Sequence, residues 1–125
     1  MKLADVRFSM RGGALVAAVS GEIDMSNAQQ VNAALTAATT NDLSGVVLDM
    51  TEVDYMDSAG IHLMYALRES LRTRGQDLKL VVPTVSPVAE TLRLAGVMHA
   101  LQVTELVDDA LPEVAASDPD AATAP

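Results

Sequence analysis

The sequence contains no cysteine and no tryptophan, and its 125 residues include only one phenylalanine, two tyrosines and two histidines. Without cysteine the chain forms neither a disulfide framework nor a thiolate zinc site, and two isolated histidines make a poor metal site. The scarcity of aromatic residues also removes the stacking platforms to which single-stranded nucleic acids bind. We therefore expect no metal, no other cofactor, and a location in the reducing cytoplasm.

Basic residues are scarce as well, since eight Lys and Arg stand against seventeen Asp and Glu and leave a net charge of −9. Nucleic acids and anionic membrane surfaces are bound through basic patches, so neither is expected as a partner. No apolar run is long enough to span a bilayer, and the first residues lack the apolar region of a signal peptide. The composition favours a cytoplasmic protein that binds another protein with a basic or neutral surface.

Half of the residues are hydrophobic in type, which at this length suffices for the core of one domain. We place that domain at residues 1–116. Residues 117–125 are mostly Ala, Asp and Pro without apolar periodicity, and we expect them to form a disordered tail.

Apolar periodicity predicts five strands and four helices. The strands are placed at 3–8, 14–20, 46–49, 78–82 and 100–103, and the helices begin near residues 28, 58, 87 and 104. Gly12 and Gly13 predict a hairpin turn between the first two strands, and the polar residues 51–54 predict a loop. The order ββαβαβαβα predicts an α/β fold, with a mixed and mostly parallel sheet opened by a β-hairpin. The order of the strands within the sheet is not predicted.

The helix that begins at Ser58 has the clearest pattern. Its apolar residues recur at helical spacing and predict one buried stripe, which consists of Ile61, Met64, Leu67 and Leu71. Leu63 and Tyr65 fall outside that stripe. We expect these two side chains, together with Met56 and Met64 near Ser58, to form an apolar surface on which a partner docks; the alternative is that Leu63 and Tyr65 pack under a neighbouring loop.

Three polar side chains follow the second and third strands. Because the carboxyl ends of neighbouring parallel strands meet at one edge of a sheet, Asp24, Asp57 and Ser58 are expected to lie close together. One interpretation is structural: Asp57 or Ser58 caps the helix that begins at Ser58, and Asp24 or Ser26 caps the helix before it. The other is that Ser58 is a phosphorylation site, because a helix N-terminus stabilises an anion.

Two enzymatic interpretations fail on detail. Residues 58–60 resemble the end of the G-x-S-x-G nucleophile elbow, but Met56 replaces its first glycine and the turn from strand to serine is not sharp. His62 lies one helical turn after Ser58 and has no evident carboxylate to orient it. Asp49 ends a predicted strand, as in a receiver domain, but the acidic pair and the lysine of that site are missing. We expect no catalytic residues and no enzymatic activity.

Three segments together resemble the STAS domain family, and within it the stand-alone bacterial anti-sigma-factor antagonists. They are residues 21–24 (GEID), residues 46–61, which contain D-S-x-G at 57–60, and residues 86–97. The resemblance covers about residues 5–112. D-S-x-G between a strand and a helix, with GEID upstream, is a fairly specific combination.

The resemblance implies a partner switch. In the family the unmodified antagonist binds an anti-sigma factor, which is also a serine kinase, and thereby releases a sigma factor. Phosphorylation of the serine in D-S-x-G ends this binding, and a serine phosphatase reverses it. Ser58 falls on the phosphorylated position. With the docking surface inferred above, the expected partner-binding residues are Asp24, Met56, Asp57, Ser58, Ala59, Gly60, His62 and Leu63.

His62 departs from the family pattern, in which small or aliphatic residues are common at this position. Other STAS domains are scaffolds of stressosomes or accessory subunits of lipid and ABC transport systems. A role of this kind is the alternative to the partner switch.

Overall fold

The computed structural model describes residues 4–115, with side chains up to residue 111. The predicted order of strands and helices is confirmed. The elements are β1 (Asp5–Arg11), β2 (Ala14–Ile23), α1 (Ala28–Ala38), β3 (Gly45–Met56), α2 (Ser58–Arg72), β4 (Asp77–Val81), α3 (Pro87–Ala95), β5 (Val103–Thr104) and α4 (Val107–Ala115). The predicted tail at 117–125 and the domain boundary at residue 116 lie outside the described residues.

The five strands form one sheet in the order β1-β2-β3-β4-β5. β1 and β2 are antiparallel, and the remaining pairs are parallel, so the predicted mostly parallel sheet opened by a hairpin is confirmed. The strand order follows the chain, because α1, α2 and α3 each return the chain to the next position in the sheet. β1 and β5 are therefore the two edges.

The third strand is longer than predicted. Residues 51–54 were expected to form a loop, but β3 continues through them to Met56 and pairs with β2. Two register shifts relative to β2 each add one residue to β3, so its buried residues beyond Asp49 do not alternate regularly. The carboxylate of Asp49 accepts the Thr51 N–H (3.0 Å) at the first shift. β4 ends opposite Asp49, so this extension of β3 lies beyond β4.

The end of the domain also differs from the prediction. β5 is two residues long, and the helix after it begins at Val107. The hydroxyl of Thr104 donates to the Leu106 carbonyl group (3.3 Å) and does not cap α4.

Apolar side chains cover both faces of the sheet. The larger cluster includes Leu48 and Leu80 of the sheet and the predicted stripe of α2, whose four members are all buried. The smaller cluster joins β2, β3 and β4 to α4 through Ala110. In α3, Val88, Ala89 and Leu92 lie in the core, whereas Ala95, at helical spacing from Val88 and Leu92, is exposed.

Candidate functional site

The carboxyl ends of β2 and β3 lie side by side, as predicted. Ile23 pairs with Met56 in the parallel register, and the Asp57 N–H donates to the Ile23 carbonyl oxygen (3.2 Å). The segments that follow these two strands therefore begin at the same edge of the sheet. This pairing brings the loop of Asp24 next to the start of α2.

Ser58 is the first residue of α2, and the preceding residue caps the helix. The carboxylate of Asp57 accepts the backbone N–H of Ala59 (2.8 Å). The side chain of Ser58 is exposed, and its hydroxyl makes no hydrogen bond to any residue that the structure describes. The capping interpretation thus holds for Asp57 and not for Ser58.

Replacement of Asp57 by alanine is expected to lower the free energy of unfolding by about 1 kcal/mol, because one N–H of the first turn loses its partner. Ser58→Ala is the matched control at the adjacent position. It should change that free energy by no more than about 0.5 kcal/mol, since the hydroxyl is exposed. Urea denaturation of the three proteins measures the difference. Equal losses for the two variants would contradict the assignment of the cap.

The loop after β2 is organised by its own side chains. Asp24 does not cap α1: its carboxylate accepts hydrogen bonds from the hydroxyl and the backbone N–H of Ser26, the latter at 2.8 Å. These two bonds lower the pKa of Asp24, the hydroxyl contributing most. Because a carboxyl group with a lowered pKa is ionised at neutral pH, Asp24 adds a negative charge beside the start of α2.

Asn27 holds this loop in place, a role that the sequence reading missed. Its side chain is 7% exposed, and its oxygen accepts the Asp24 N–H (3.0 Å) while its amide nitrogen donates to the Glu22 carbonyl oxygen (2.7 Å). Asn27 is also the residue that precedes α1, but its side chain makes no capping bond. A polar side chain directly before an amphipathic helix was the available signal.

Three of the predicted partner-binding residues are buried and not exposed. Met56 is 2% exposed, Leu63 is 5% exposed and Gly60 is buried. Met56 faces the core because the added residues in β3 turn it inward, and Leu63 is buried because α2 also packs against α1. Tyr65 is half-buried and packs against the same core. Met64 is also buried, so the apolar docking surface predicted from Met56, Leu63, Met64 and Tyr65 is largely absent.

The exposed part of the site is a groove between α1 and α2. It has a volume of about 360 Å³ and is lined by Met25, Ala28, Gln29, Asn32, Ala59, His62 and Leu63. Met25 is 85% exposed and was missed from the sequence, where only its position beside Asp24 marks it. Ala59 and His62 line the groove from the first turns of α2, and Ser58 directly precedes Ala59 in the chain without lining the groove itself.

The arrangement does not resemble a hydrolytic site. His62 has no hydrogen bond to a carboxylate among the described residues, and it lies on the same helix as Ser58. Residues 4–111 also contain no group of three or more His, Asp and Glu side chains arranged to hold a metal ion. No helix in the described part of the chain has the length and apolarity needed to cross a membrane.

Comparison with known proteins finds anti-sigma factor antagonists among the proteins that this chain resembles. The family model for the STAS domain matches residues 6–110. BtrV of Bordetella bronchiseptica, described as a candidate anti-sigma factor antagonist, is 31% identical over 93 residues, which are 73% of this chain and 78% of BtrV.

Solved structures of anti-sigma factor antagonists have the same fold as this chain. The crystal structure of an anti-sigma factor antagonist from Mycobacterium paratuberculosis has a TM-score of 0.80 and 25% identity, with 90% of this chain and 94% of that chain covered. The antagonist SpoIIAA of Bacillus, solved in its phosphorylated form, has a TM-score of 0.61 and 17% identity, with 88% of this chain and 99% of that chain covered. The likeness to SpoIIAA concerns the fold alone.

Proposed function

Because this chain belongs to the STAS domain family, we propose that it is an anti-sigma factor antagonist regulated at Ser58. The unmodified protein binds an anti-sigma factor that is also a serine kinase, and this binding releases a sigma factor. Phosphorylation of Ser58 ends the binding, and a serine phosphatase restores it. The observation that carries the proposal is the exposed hydroxyl of Ser58, which has no hydrogen-bonding partner among the described residues.

The chemistry needs no catalytic residue from this chain. The kinase transfers the γ-phosphoryl group of ATP to the Ser58 oxygen, ADP leaves, and the hydroxyl proton passes to a base of the kinase. The phosphatase uses water to release inorganic phosphate and regenerate the hydroxyl. An exposed serine on the first turn of a helix is accessible to both enzymes, and the N-terminus of α2 stabilises the added charge within the fold.

The surroundings of Ser58 explain how phosphate would expel the partner. A phosphoserine carries nearly two negative charges at neutral pH. It would stand beside the ionised Asp24 and beside Asp57, whose carboxylate already occupies one N–H of the helix end. A partner that packs closely against this edge must then either bury the phosphate, which costs the energy of removing its water, or move away so that the phosphate stays in water. The bound state loses affinity without any refolding of the antagonist.

The proposed binding surface combines this edge with the groove. Asp24 and Asp57 supply charge, Ser58 is the switch, and Ala59 and His62 lead into the groove. Met56 and Gly60 act from beneath by supporting the first turn of α2, since a Cβ atom at Gly60 would lie 2.3 Å from the Met56 Cγ. Leu63 contributes only to the lining of the groove.

Phosphosite mapping tests the proposal. The protein is mixed with candidate anti-sigma kinases and Mg-ATP, and the modified residue is identified by tandem mass spectrometry. We expect phosphate on Ser58 alone and none on a Ser58→Ala variant, although Ser9 is also exposed. Phosphate on another residue, or none with any candidate kinase, would favour a role as a stressosome scaffold or a transport accessory.

A further inference from the structure

We propose that the edge strand β1 is a dimer interface, through which two copies of this chain form one continuous ten-stranded sheet. Each copy contributes its five strands, and β1 of one copy pairs antiparallel with β1 of the other. None of the residues proposed to bind the anti-sigma factor lies in β1. The inference is therefore independent of the proposed function.

The outer side of β1 has backbone groups available for pairing. Arg11 and Ala14 are paired across a two-residue turn whose first glycine, Gly12, has a φ of 64°. In such hairpins the residues that flank the turn bond to each other, and every second residue of the strand does the same. The N–H and C=O groups of the intervening residues Val6, Phe8 and Met10 therefore point to the outer edge.

The side chains of β1 separate into an apolar face and a charged face. Val6 and Phe8 line a shallow groove against α1, and Met10 lies on the same face. Phe8 is 42% exposed and Met10 is 55% exposed, which is unusual for large apolar side chains on a strand beside the core. Asp5, Arg7, Ser9 and Arg11 alternate with them and form the opposite face. In a pair of β1 strands, each copy would place apolar side chains beside the apolar face and charged side chains beside the charged face of the other.

Charge selects one register for this pairing. Directly opposed residues in an antiparallel pair point to the same face of the sheet. One residue must therefore lie opposite its own copy, with the two-fold axis between them, and we name each register by that residue. An axis at Arg7 would oppose the two Arg7 side chains, and an axis at Ser9 would oppose Arg7 to Arg11. Like charges directly opposite each other are destabilising.

An axis at Phe8 removes both conflicts. It opposes Asp5 to Arg11 of the other copy twice, Val6 to Met10 twice, and the two Phe8 side chains once. It also pairs all seven residues of β1, whereas the other two axes pair five. Opposite charges and apolar side chains thus meet in the same register, which is the form of complementarity that a symmetric interface requires.

Asp5 and Arg11 already form ion pairs within one chain, and these pairs do not prevent Asp5 from pairing with Arg11 of the other copy. The Arg7 Nε atom lies 3.5 Å from Asp5 Oδ2, and the Arg11 Nη2 atom lies 3.3 Å from Asp108 Oδ1. The side chains of Asp5 and Arg11 are 63% and 52% exposed, and ion pairs of this kind contribute about 0–1 kcal/mol. Asp5 and Arg11 can therefore exchange their present partners for each other across the two-fold axis at little cost.

Charge reversal tests the interface by analytical ultracentrifugation over a range of protein concentrations. Asp5→Arg opposes two arginines and Arg11→Asp opposes two aspartates, so each should raise the dimer dissociation constant about tenfold or more. The double variant Asp5→Arg/Arg11→Asp exchanges the charges and should restore the dimer. Asp108→Asn is the matched control, because it removes the ion pair within one chain and should leave the dimer intact.

Single cysteines determine the register, since the chain has no cysteine of its own. Opposed Cα atoms in the predicted pair are about 5.5 Å apart, which suits a disulfide. Oxidised Phe8→Cys should form a covalent dimer faster than Arg7→Cys or Ser9→Cys. A wild-type protein that stays monomeric at all concentrations, single charge reversals without effect, or fastest linkage through residue 7 or 9 would each overturn the proposal.

Discussion

Replacement of Ser58 by aspartate should weaken the binding of the anti-sigma factor roughly 100-fold, whereas replacement by alanine should leave the affinity close to that of the unmodified protein. A carboxylate that loses its water in a closely packed interface without an opposite charge, beside two carboxylates of its own chain, costs several kcal/mol, and about 2.7 kcal/mol corresponds to a factor of 100. Asp24 and Asp57 already make this edge negative, so the added carboxylate increases a charge of the same sign.

Ser58→Asn is the matched control for this substitution. Asparagine has nearly the size and shape of aspartate but no charge, so the ratio between the two affinities isolates the electrostatic part of the switch. Isothermal titration calorimetry against the purified anti-sigma factor gives all four affinities. Equal affinities for the alanine and aspartate variants would refute the switch, and equal losses for asparagine and aspartate would show that size, not charge, controls binding.

A second large effect is expected inside the site, where Gly60→Ala should lower the free energy of unfolding by about 1–2 kcal/mol. A Cβ atom at this position would lie 2.3 Å from the Met56 Cγ and 2.5 Å from its Sδ. Overpacking costs about 1–3 kcal/mol, and contacts this short belong to the upper part of that range, about 2–3 kcal/mol; the gain of about 1 kcal/mol that alanine brings to a helix over glycine offsets part of this cost. Met56 cannot easily yield, because it is 2% exposed and its Cγ is fixed near the backbone.

A double-mutant cycle identifies the clash. In a Met56→Ala background the space is empty, so Gly60→Ala should cost nothing or stabilise the protein by up to about 1 kcal/mol. Ala66→Gly, at an exposed position of the same helix, calibrates the helix contribution. If Gly60→Ala costs the same with and without the Met56 side chain, the contact with Met56 is not the cause. The glycine of D-S-x-G has a packing role if the prediction holds.

Some residues of the site are buried because of their spacing in the chain, and others because of how distant elements pack. The buried stripe of α2 follows from spacing alone, because residues three and four apart lie on one face of any helix. Met56 and Leu63 have equally apolar side chains, yet their burial could not be predicted. It depends on the two register shifts between β2 and β3 and on the position of α1, which residues distant in the chain determine.

Asn27 shows the same limit for a polar residue. The sequence shows an amide before a helix, where a cap is the ordinary expectation. Only the folded loop brings the carbonyl group of Glu22 and the N–H of Asp24 within reach of that amide. The extension of β3 through residues 51–56 is similar, since a segment with three polar residues among its first four forms a strand only because β2 offers its backbone beside it.

The sequence by itself determined the order of the elements, the opening hairpin, and the position of Asp57 and Ser58 at the start of α2, because each depends on interactions within a few residues. Only the tertiary structure decided the order of the strands, which side chains near Ser58 remain exposed, and that β1 is an edge with complementary charges. These features depend on contacts between residues far apart in the chain, and no local pattern encodes such contacts.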